Sequence, residues 1–477
     1  MNGKRTRVVL VHPPLKNVIT AATPDYVDEN RGHTPPMGLL YLQSAIEHSR
    51  HESVFLDADL EGWSHEEAAL RALSYGPDII GLQAMSFTMP DAYLVAKAAK
   101  AIDPEVATVI GGPHPTIYPR ETAGLEAVDF AFAGEGEKNF IAFLDMFRDP
   151  VERTKVPGVA CRAGEGEGEG GATTFNPAGL LRDIDGVHYP ARRSSHYERY
   201  SSVLATHNPV TVMITSRGCP FSCIFCNRMG RQYRCHSAGY VLGEIEEIIG
   251  LGIKEVFIHD DTFTLNRKRV VDICEGIISR GYRVSWEART RADCVDEELL
   301  SLMKRAGCTR LSFGVESGSE KVLKKMNKDM DLKRVEDVFR WCRKEGITTL
   351  ADFIFGNMDE EADDMEKTLD LVKRINPDYV QYSILSPYPD TPLYKLGVEK
   401  GILPGDVWAE FATDPLKKFS GPLWTQNFTE EELVSITARA YRAFYTRPSF
   451  IFRQLRKISS LEQFKNMARA ATTILFS

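Results

Sequence analysis

The chain has 477 residues, 43% hydrophobic and 26% charged; at about 150 residues per domain this means two to four domains with large cores, and it excludes a peptide hormone, a disulfide miniprotein and a disordered chain. Fifty-eight Lys and Arg against 66 Asp and Glu give a net charge of −8, which argues against nonspecific nucleic-acid binding by the whole chain. Nine cysteines, an odd number with three crowded together, suit a reducing compartment better than a disulfide scaffold.

The first apolar run, Val8-Val9-Leu10-Val11, stops at His12-Pro13-Pro14 and reads as a strand, not a signal peptide. No stretch of about 18 apolar residues runs without a charge, so no membrane-spanning helix is predicted and a cytoplasmic location is expected. From residue 8 to about 147, strand-like runs at Val8–Val11, Val54–Asp57, Ile79–Leu82, Thr108–Ile110 and Phe130–Ala133 alternate with helical patterns over 37–48, 65–74, 91–102 and 137–147. This predicts an α/β fold whose first domain, 1–147, is a doubly wound parallel sheet with helices on both faces. Ligands of such sheets sit beyond the carboxyl ends of the strands. There the sequence puts Ser86, Gly111-Gly112-Pro113-His114-Pro115 and Gly134-Glu135-Gly136-Glu137.

Residues 148–205 read as a linker, with a Gly/Glu-rich loop over 164–171 that lacks the apolar surface to order itself. Over 206–400 a second alternation begins: strands at Thr211–Thr215, Glu255–Ile258, Arg283–Trp286, Arg310–Phe313, Thr349–Ile354 and Tyr379–Ser383, with helices near 239–250, 267–280, 296–306, 332–345 and 360–374. Such repeated strand–helix units predict a parallel barrel, complete or partial. The region 401–477 is read as helical from 430 onward, and between 439 and 477 it carries eight Lys/Arg against the single acid Glu462. Its apolar face, through Ile451, Leu455, Ile458 and Leu461, suits either packing on the barrel or peripheral membrane contact through 449–477.

Directly after the first strand of the second domain comes Ser216-Arg217-Gly218-Cys219-Pro220-Phe221-Ser222-Cys223-Ile224-Phe225-Cys226-Asn227. Three thiols in eight residues on one loop can converge on a metal centre. A zinc site asks for a fourth ligand, for which Cys235 and His236 are the candidates; a [4Fe-4S] cluster held by Cys219, Cys223 and Cys226 leaves one iron open for a substrate. Cys235 is also a candidate acid or auxiliary ligand. Cys161, Cys274, Cys294, Cys308 and Cys342 are scattered and read mostly as buried apolar thiols.

The spacing C-x3-C-x2-C, with Phe225 before the last cysteine, resembles the signature of the radical S-adenosylmethionine (SAM) superfamily. The resemblance implies a partial (β/α)6 barrel in which the three cysteines hold the cluster, the open iron chelates SAM, and SAM is split to a 5′-deoxyadenosyl radical that takes hydrogen from an unactivated carbon. It also implies roles along the barrel: Asp261 near the SAM amino group or, with Thr262, as a helix N-cap; Arg289 for the SAM carboxylate or in a plain salt bridge; Glu316 for the ribose; Ile354 for adenine. Asp352 stands where the family's adenine motif has its first glycine, and Asp359 where it has its last acid.

A doubly wound domain before such a barrel, with Pro35-Pro36-Met37-Gly38-Leu39 opening its first helix, resembles the cobalamin-binding domain of B12-dependent radical SAM enzymes. That resemblance implies a corrin face at Gly111 and Gly112 and a nucleotide-tail contact at Ser86. The D-x-H-x-x-G motif that supplies an axial histidine is missing, since His12 is followed by Pro13-Pro14, and His114 is either a cobalt neighbour or a locally bonded loop histidine. Ala440-Tyr441-Arg442-Ala443-Phe444-Tyr445-Thr446-Arg447-Pro448 is similar to the group containing the anaerobic magnesium-protoporphyrin IX monomethyl ester oxidative cyclase. The expected reaction is methylation of an unactivated carbon, or oxidative cyclisation without methyl gain. The expected partners are a tetrapyrrole, lipid or small polar substrate, a reductant such as flavodoxin or ferredoxin, and no nucleic acid. An iron–sulfur protein that never cleaves SAM is the third alternative.

Overall fold

A computed structural model describes residues 5–19, 32–163, 173–202, 205–227, 230–448 and 450–451. The Gly/Glu-rich loop and nearly all of 449–477, with its expected membrane face, lie outside the described residues. The chain divides into two compact units, one formed by the first 20 residues, His33–Ser201 and Pro404–Ser420, the other by Ala21–Gly32, Ser202–Leu403 and Gly421–Ser477.

The first unit is built on β1 (Arg7–His12), β2 (Glu52–Asp57), β3 (Ile79–Gln83), β4 (Ala107–Gly111) and β5 (Phe130–Phe132), all parallel, extended by the antiparallel β6 (Val159–Arg162) and β7 (Thr173–Phe175). The order is β2-β1-β3-β4-β5-β6-β7. Val8 to Val11 are fully buried, as expected of a central parallel strand covered on both faces. Residues 404–420, counted with the tail in the sequence reading, form part of this unit. Trp408 and Phe411 of the helix Val407–Thr413 pack with Phe419, and the Phe411 ring meets His114 edge-on at 6.0 Å.

The second unit holds a six-stranded parallel sheet in the order β15-β14-β13-β12-β11-β8: β8 (Val210–Met213), β11 (Glu255–Ile258), β12 (Ser285–Thr290), β13 (Cys308–Glu316), β14 (Thr348–Phe355) and β15 (Tyr379–Ile384). Strongly amphipathic helices connect them, each burying one stripe against the sheet, as Val335, Val338, Phe339 and Cys342 do in Leu332–Glu345. This is the partial (β/α)6 barrel expected. Two short strands, β9 (Ser216–Arg217) and β10 (Arg234–Cys235), pair antiparallel and close the cysteine loop at its base.

A sheet edge exposes unpaired backbone groups, and at β15 the helix Glu430–Tyr445 supplies partners for them. The Tyr441 hydroxyl accepts from the Tyr382 N–H (2.9 Å) and donates to the Tyr382 carbonyl (3.0 Å), while the Tyr445 hydroxyl donates to the Val380 carbonyl at 3.0 Å.

Candidate active site

The loop carrying Cys219, Cys223 and Cys226 leaves the carboxyl end of β8 and is pinned along its length. Asn327, in the left-handed region at φ 52°, donates through Nδ2 to both the carbonyl and the hydroxyl of Ser222 at 2.8 Å. The Ile224 N–H donates to the Met326 carbonyl (3.1 Å), the Leu393 N–H to the Ile224 carbonyl (3.0 Å), and Asn227 Nδ2 to the Pro389 carbonyl (2.8 Å). Segments following β13 and β15 therefore hold the middle of the loop. Phe225 packs against the buried group Met358, Leu385, Leu393 and Trp424.

All three thiols are free of disulfides, and Cys223 is buried. Arg291 lies over the Phe221 ring at 3.9 Å, forks onto Asp293 (2.9 and 2.7 Å) and approaches Cys223 Sγ with Nη1 at 3.9 Å. Cys219 Sγ is 3.9 Å from the Thr262 hydroxyl. Among the described residues no three His, Cys, Asp or Glu side chains are gathered closely enough to hold a metal ion. Cys219 and Cys223 instead face separate neighbours, Thr262 and Arg291. Cys235 pairs with Ser216 in the β9–β10 ladder, and the His236 ring stacks on Tyr240 at 3.8 Å. Of the scattered cysteines, Cys161, Cys274, Cys308 and Cys342 are buried; Cys294, partly exposed, is raised to about 12 by burial first and then by the Asp293 carboxylate.

The barrel-wall candidates divide. Asp261 is exposed, and neither it nor Thr262 caps the α-helix that follows; Asn266 does so, its side chain accepting from the Arg269 N–H at 3.1 Å. The side-chain partner of the preceding loop is the neighbour, Asp260. Arg289 on β12 is exposed and makes no hydrogen bond or ion pair with the described residues, so the plain salt bridge is not formed. Glu316 ends β13 with φ 68° at a shift in register and pairs with Lys328 at 2.6 Å, both side chains buried. A side chain at Gly314 would collide with Glu316 and Lys328, so glycine there makes room for the pair. Ile354 on β14 joins the Phe225 group, and its carbonyl accepts from Asn357 Nδ2 at 2.6 Å.

Asp352, opposite Gly314 in the β13–β14 register, carries a carboxyl raised to about 7, chiefly by burial and next by the Glu316 charge, against the opposing pull of Arg289 and Lys328. Asp359 turns outward to Lys325 (2.7 Å) and Gln426 (2.8 Å); the buried acid is Glu360, which accepts from the Asn357 N–H at 2.8 Å and is pushed up to about 7 by burial. Sequence alone does not single out Thr262 as a sulfur neighbour, Arg291, Lys328 or Glu360, whereas Asp260 lies in the polar stretch Asp260-Asp261-Thr262-Phe263 that follows the second strand.

In the first unit Ser86 and His114 are both buried, with Ser86 Oγ 3.1 Å from His114 Nδ1, so the locally bonded reading of His114 holds. Burial alone drops His114 to about 3, leaving the imidazole neutral. Gly112, at φ 110°, is required by its own backbone: a Cβ would stand 2.8 Å from the Ala84 carbonyl. At Gly111 a Cβ would make only ordinary contact, 3.7 Å from the Phe132 carbonyl. The Gly-Gly pair is thus explained in part by packing against β3.

Residues 213–372 match the radical SAM superfamily and residues 25–144 the B12 binding domain. An uncharacterized methyltransferase of Pyrococcus horikoshii is 32% identical over 459 residues, 95% of each chain. This chain belongs to the B12-binding radical SAM enzymes. A second member, the anaerobic magnesium-protoporphyrin IX monomethyl ester cyclase of Rubrivivax gelatinosus, is 29% identical over 82% of this chain and 69% of its own. The fold is shared with the cobalamin-dependent SAM radical enzyme OxsB, solved with aqua-cobalamin and SAM, at a TM-score of 0.73 and 18% identity over 98% of this chain and 71% of that one. B12-binding radical SAM enzymes work with a [4Fe-4S] cluster, SAM and cobalamin. The donor set here fits the cluster: three undisulfided thiols on one pinned loop at the carboxyl end of a parallel strand, one beside an arginine. Among the described residues no helix is long and apolar enough to cross a membrane.

Proposed function

We propose that this radical SAM enzyme methylates an unactivated carbon of a small-molecule substrate, with Cys219, Cys223 and Cys226 holding the cluster and Ser86, Gly111 and Gly112 bordering the corrin. The observation that carries the reading is one chain bearing both a three-thiol loop on a parallel barrel and a B12-binding sheet, in the arrangement of a methyltransferase relative matched end to end. When bound, the cluster supplies the electron that splits SAM, and cobalamin supplies the methyl group. The chain's own residues do the rest. Arg289, exposed on β12 and without a hydrogen bond or ion pair among the described residues, is available to fork onto the SAM carboxylate. Asp261 takes the SAM amino group, Glu316 offers its second oxygen to a ribose hydroxyl, and Phe225 and Ile354 give the adenine an apolar wall that keeps water out.

Relatives named for magnesium-protoporphyrin monomethyl ester cyclisation, bacteriochlorophyllide methylation and hopanoid C-3 methylation support a tetrapyrrole or polycyclic lipid as the substrate class. A one-electron donor such as flavodoxin or ferredoxin completes the system. The test is anaerobic reconstitution with iron, sulfide and hydroxocobalamin, followed by gel filtration and metal counting. About four Fe and one Co per chain are expected, with 5′-deoxyadenosine formed on reduction and one labelled methyl gained by substrate from methyl-deuterated SAM. Iron without cobalt overturns the methyl-transfer reading, and product without added methyl mass favours cyclisation.

A further inference from the structure

Both ends of the cysteine loop are tied to groups outside it. The Asp260 side chain, buried just past β11, receives four hydrogen bonds from the two residues that enter the loop: the Thr215 N–H (2.6 Å) and Ser216 N–H (3.0 Å) on Oδ1, the Thr215 and Ser216 hydroxyls (2.6 Å each) on Oδ2. Arg269, buried on the helix Arg267–Ser279, bridges entry and exit, donating from Nη2 to the Thr215 carbonyl (2.7 Å) and from Nε to the His236 carbonyl (2.6 Å). The His236 N–H itself donates to Thr215 (3.0 Å), and the β9–β10 ladder sets Ser216 against Cys235 and Arg217 against Arg234. Neither Asp260 nor Arg269 bonds to a cysteine sulfur.

We infer that Asp260 and Arg269 are positioning residues: a carboxylate and a guanidinium, borne on the next strand end and the next helix, that fix the entry and exit of the cysteine loop before any iron is bound. The inference rests on the cluster reading of the three cysteines. Its physical basis is loop closure. Bringing the ends of a flexible segment together costs entropy that grows with its length; in the metal-free chain Arg269, bonded to Thr215 at the entry and to His236 at the exit, meets part of that cost beyond the ladder and the His236–Thr215 bond, while the four bonds to Asp260 fix the entry to the end of β11. Hydrogen bonds to charged groups are the stronger kind, which accounts for the use of Asp and Arg where neutral side chains would also reach. The clasp also explains the tandem Asp260-Asp261: the first acid faces inward and holds the loop, leaving the second exposed.

The test begins on iron-free, reduced protein. Iodoacetamide labelling of Cys219, Cys223 and Cys226 is timed by mass spectrometry against the fully buried Cys342. Asp260→Ala, which removes all four bonds, is expected to speed labelling of the loop thiols by at least about tenfold, the worth of a single hydrogen bond to a charged group, with Cys342 unchanged. Arg269→Met is expected to act in the same direction and Arg269→Lys to restore part of the protection. Where Asp260→Ala does not fold, Asp260→Asn and Arg269→Lys are read on protein whose far-UV dichroism matches wild type. On iron-loaded protein, the electron paramagnetic resonance of the reduced cluster is expected to broaden in Asp260→Asn even at wild-type iron content, a signature a residue serving only overall stability would not move. Wild-type labelling rates and an unchanged spectrum in folded Asp260 and Arg269 variants overturn the clasp. If wild type takes up no iron while Asp260→Ala still exposes the thiols, the clasp stands and the cluster reading falls.

Discussion

Two loops of this molecule leave the carboxyl ends of parallel strands, and they use their residues in opposite ways. In 111–115 Gly112 makes room for the Ala84 carbonyl, and His114 is buried with Nδ1 on Ser86 and Nε2 without a hydrogen-bond partner among the described residues. In the cysteine loop the described backbone is held from outside, while the contacts of Cys219 to Thr262 and of Cys223 to Arg291 are 3.9 Å long. The cysteine loop is thus tied down through its backbone, whereas Gly112 is explained first by the packing around it.

The comparison breaks most visibly at Cys223. Cys223→Ser is expected to abolish 5′-deoxyadenosine formation and most iron uptake while leaving the thermal midpoint near wild type, since a buried thiol becomes a hydroxyl of similar size; wild-type yield of 5′-deoxyadenosine would refute the site. The reverse holds in the first unit. Gly112→Ala is expected to destabilise by about 1–3 kcal/mol, from a left-handed backbone and the Ala84 contact, and Gly111→Ala by under about 1 kcal/mol, with iron content unaffected in both. Equal destabilisation of the two, measured by urea unfolding, would remove the structural explanation for Gly112.

A smaller effect is a pH dependence seated in the second unit. Asp352 moves from an ordinary 3.8 to about 7 and Glu360 from 4.5 to about 7 on folding. The folded chain therefore binds these protons more tightly than the unfolded one, so their contribution is full below about pH 4 and is lost as the pH rises through about 7. Asp352→Asn is expected to flatten the fall in urea midpoint between pH 5 and pH 8; an unchanged slope would show that Asp352 ionises normally. Smallest of all, Tyr441→Phe removes the helix hydroxyl that accepts from the Tyr382 N–H and donates to the Tyr382 carbonyl on β15, and is expected to cost about 1–2 kcal/mol, without altering iron or cobalt content.

The parallel strands and their connecting helices were legible because each buries a continuous or periodic apolar surface, as at Val8–Val11 and in Leu332–Glu345. Strands β6 and β7 escaped because they are short and form an antiparallel edge, with Arg162 exposed and Thr173-Thr174 polar. Cys219, Cys223 and Cys226 stood out by spacing alone. Arg269, Arg291 and Lys328 did not, since a charge looks the same in sequence whether it faces water or a buried partner. Asp359 and Glu360 illustrate the limit: adjacent acids, one of which pairs at the surface while the other is buried, a choice made by the left-handed turn at Asp359 (φ 53°).

The segment Pro404–Ser420 returns to the first unit after the whole second sheet has been laid down. Trp408 and Phe411 therefore reach the unit that holds His114 only when the ribosome is past residue 420. Until then the first sheet waits with part of its apolar cover missing, and the two units cannot mature one after the other as beads on a string. Synthesis order and folding order are decoupled in this chain, and fragments ending near residue 400 would carry a first unit that lacks its last wall.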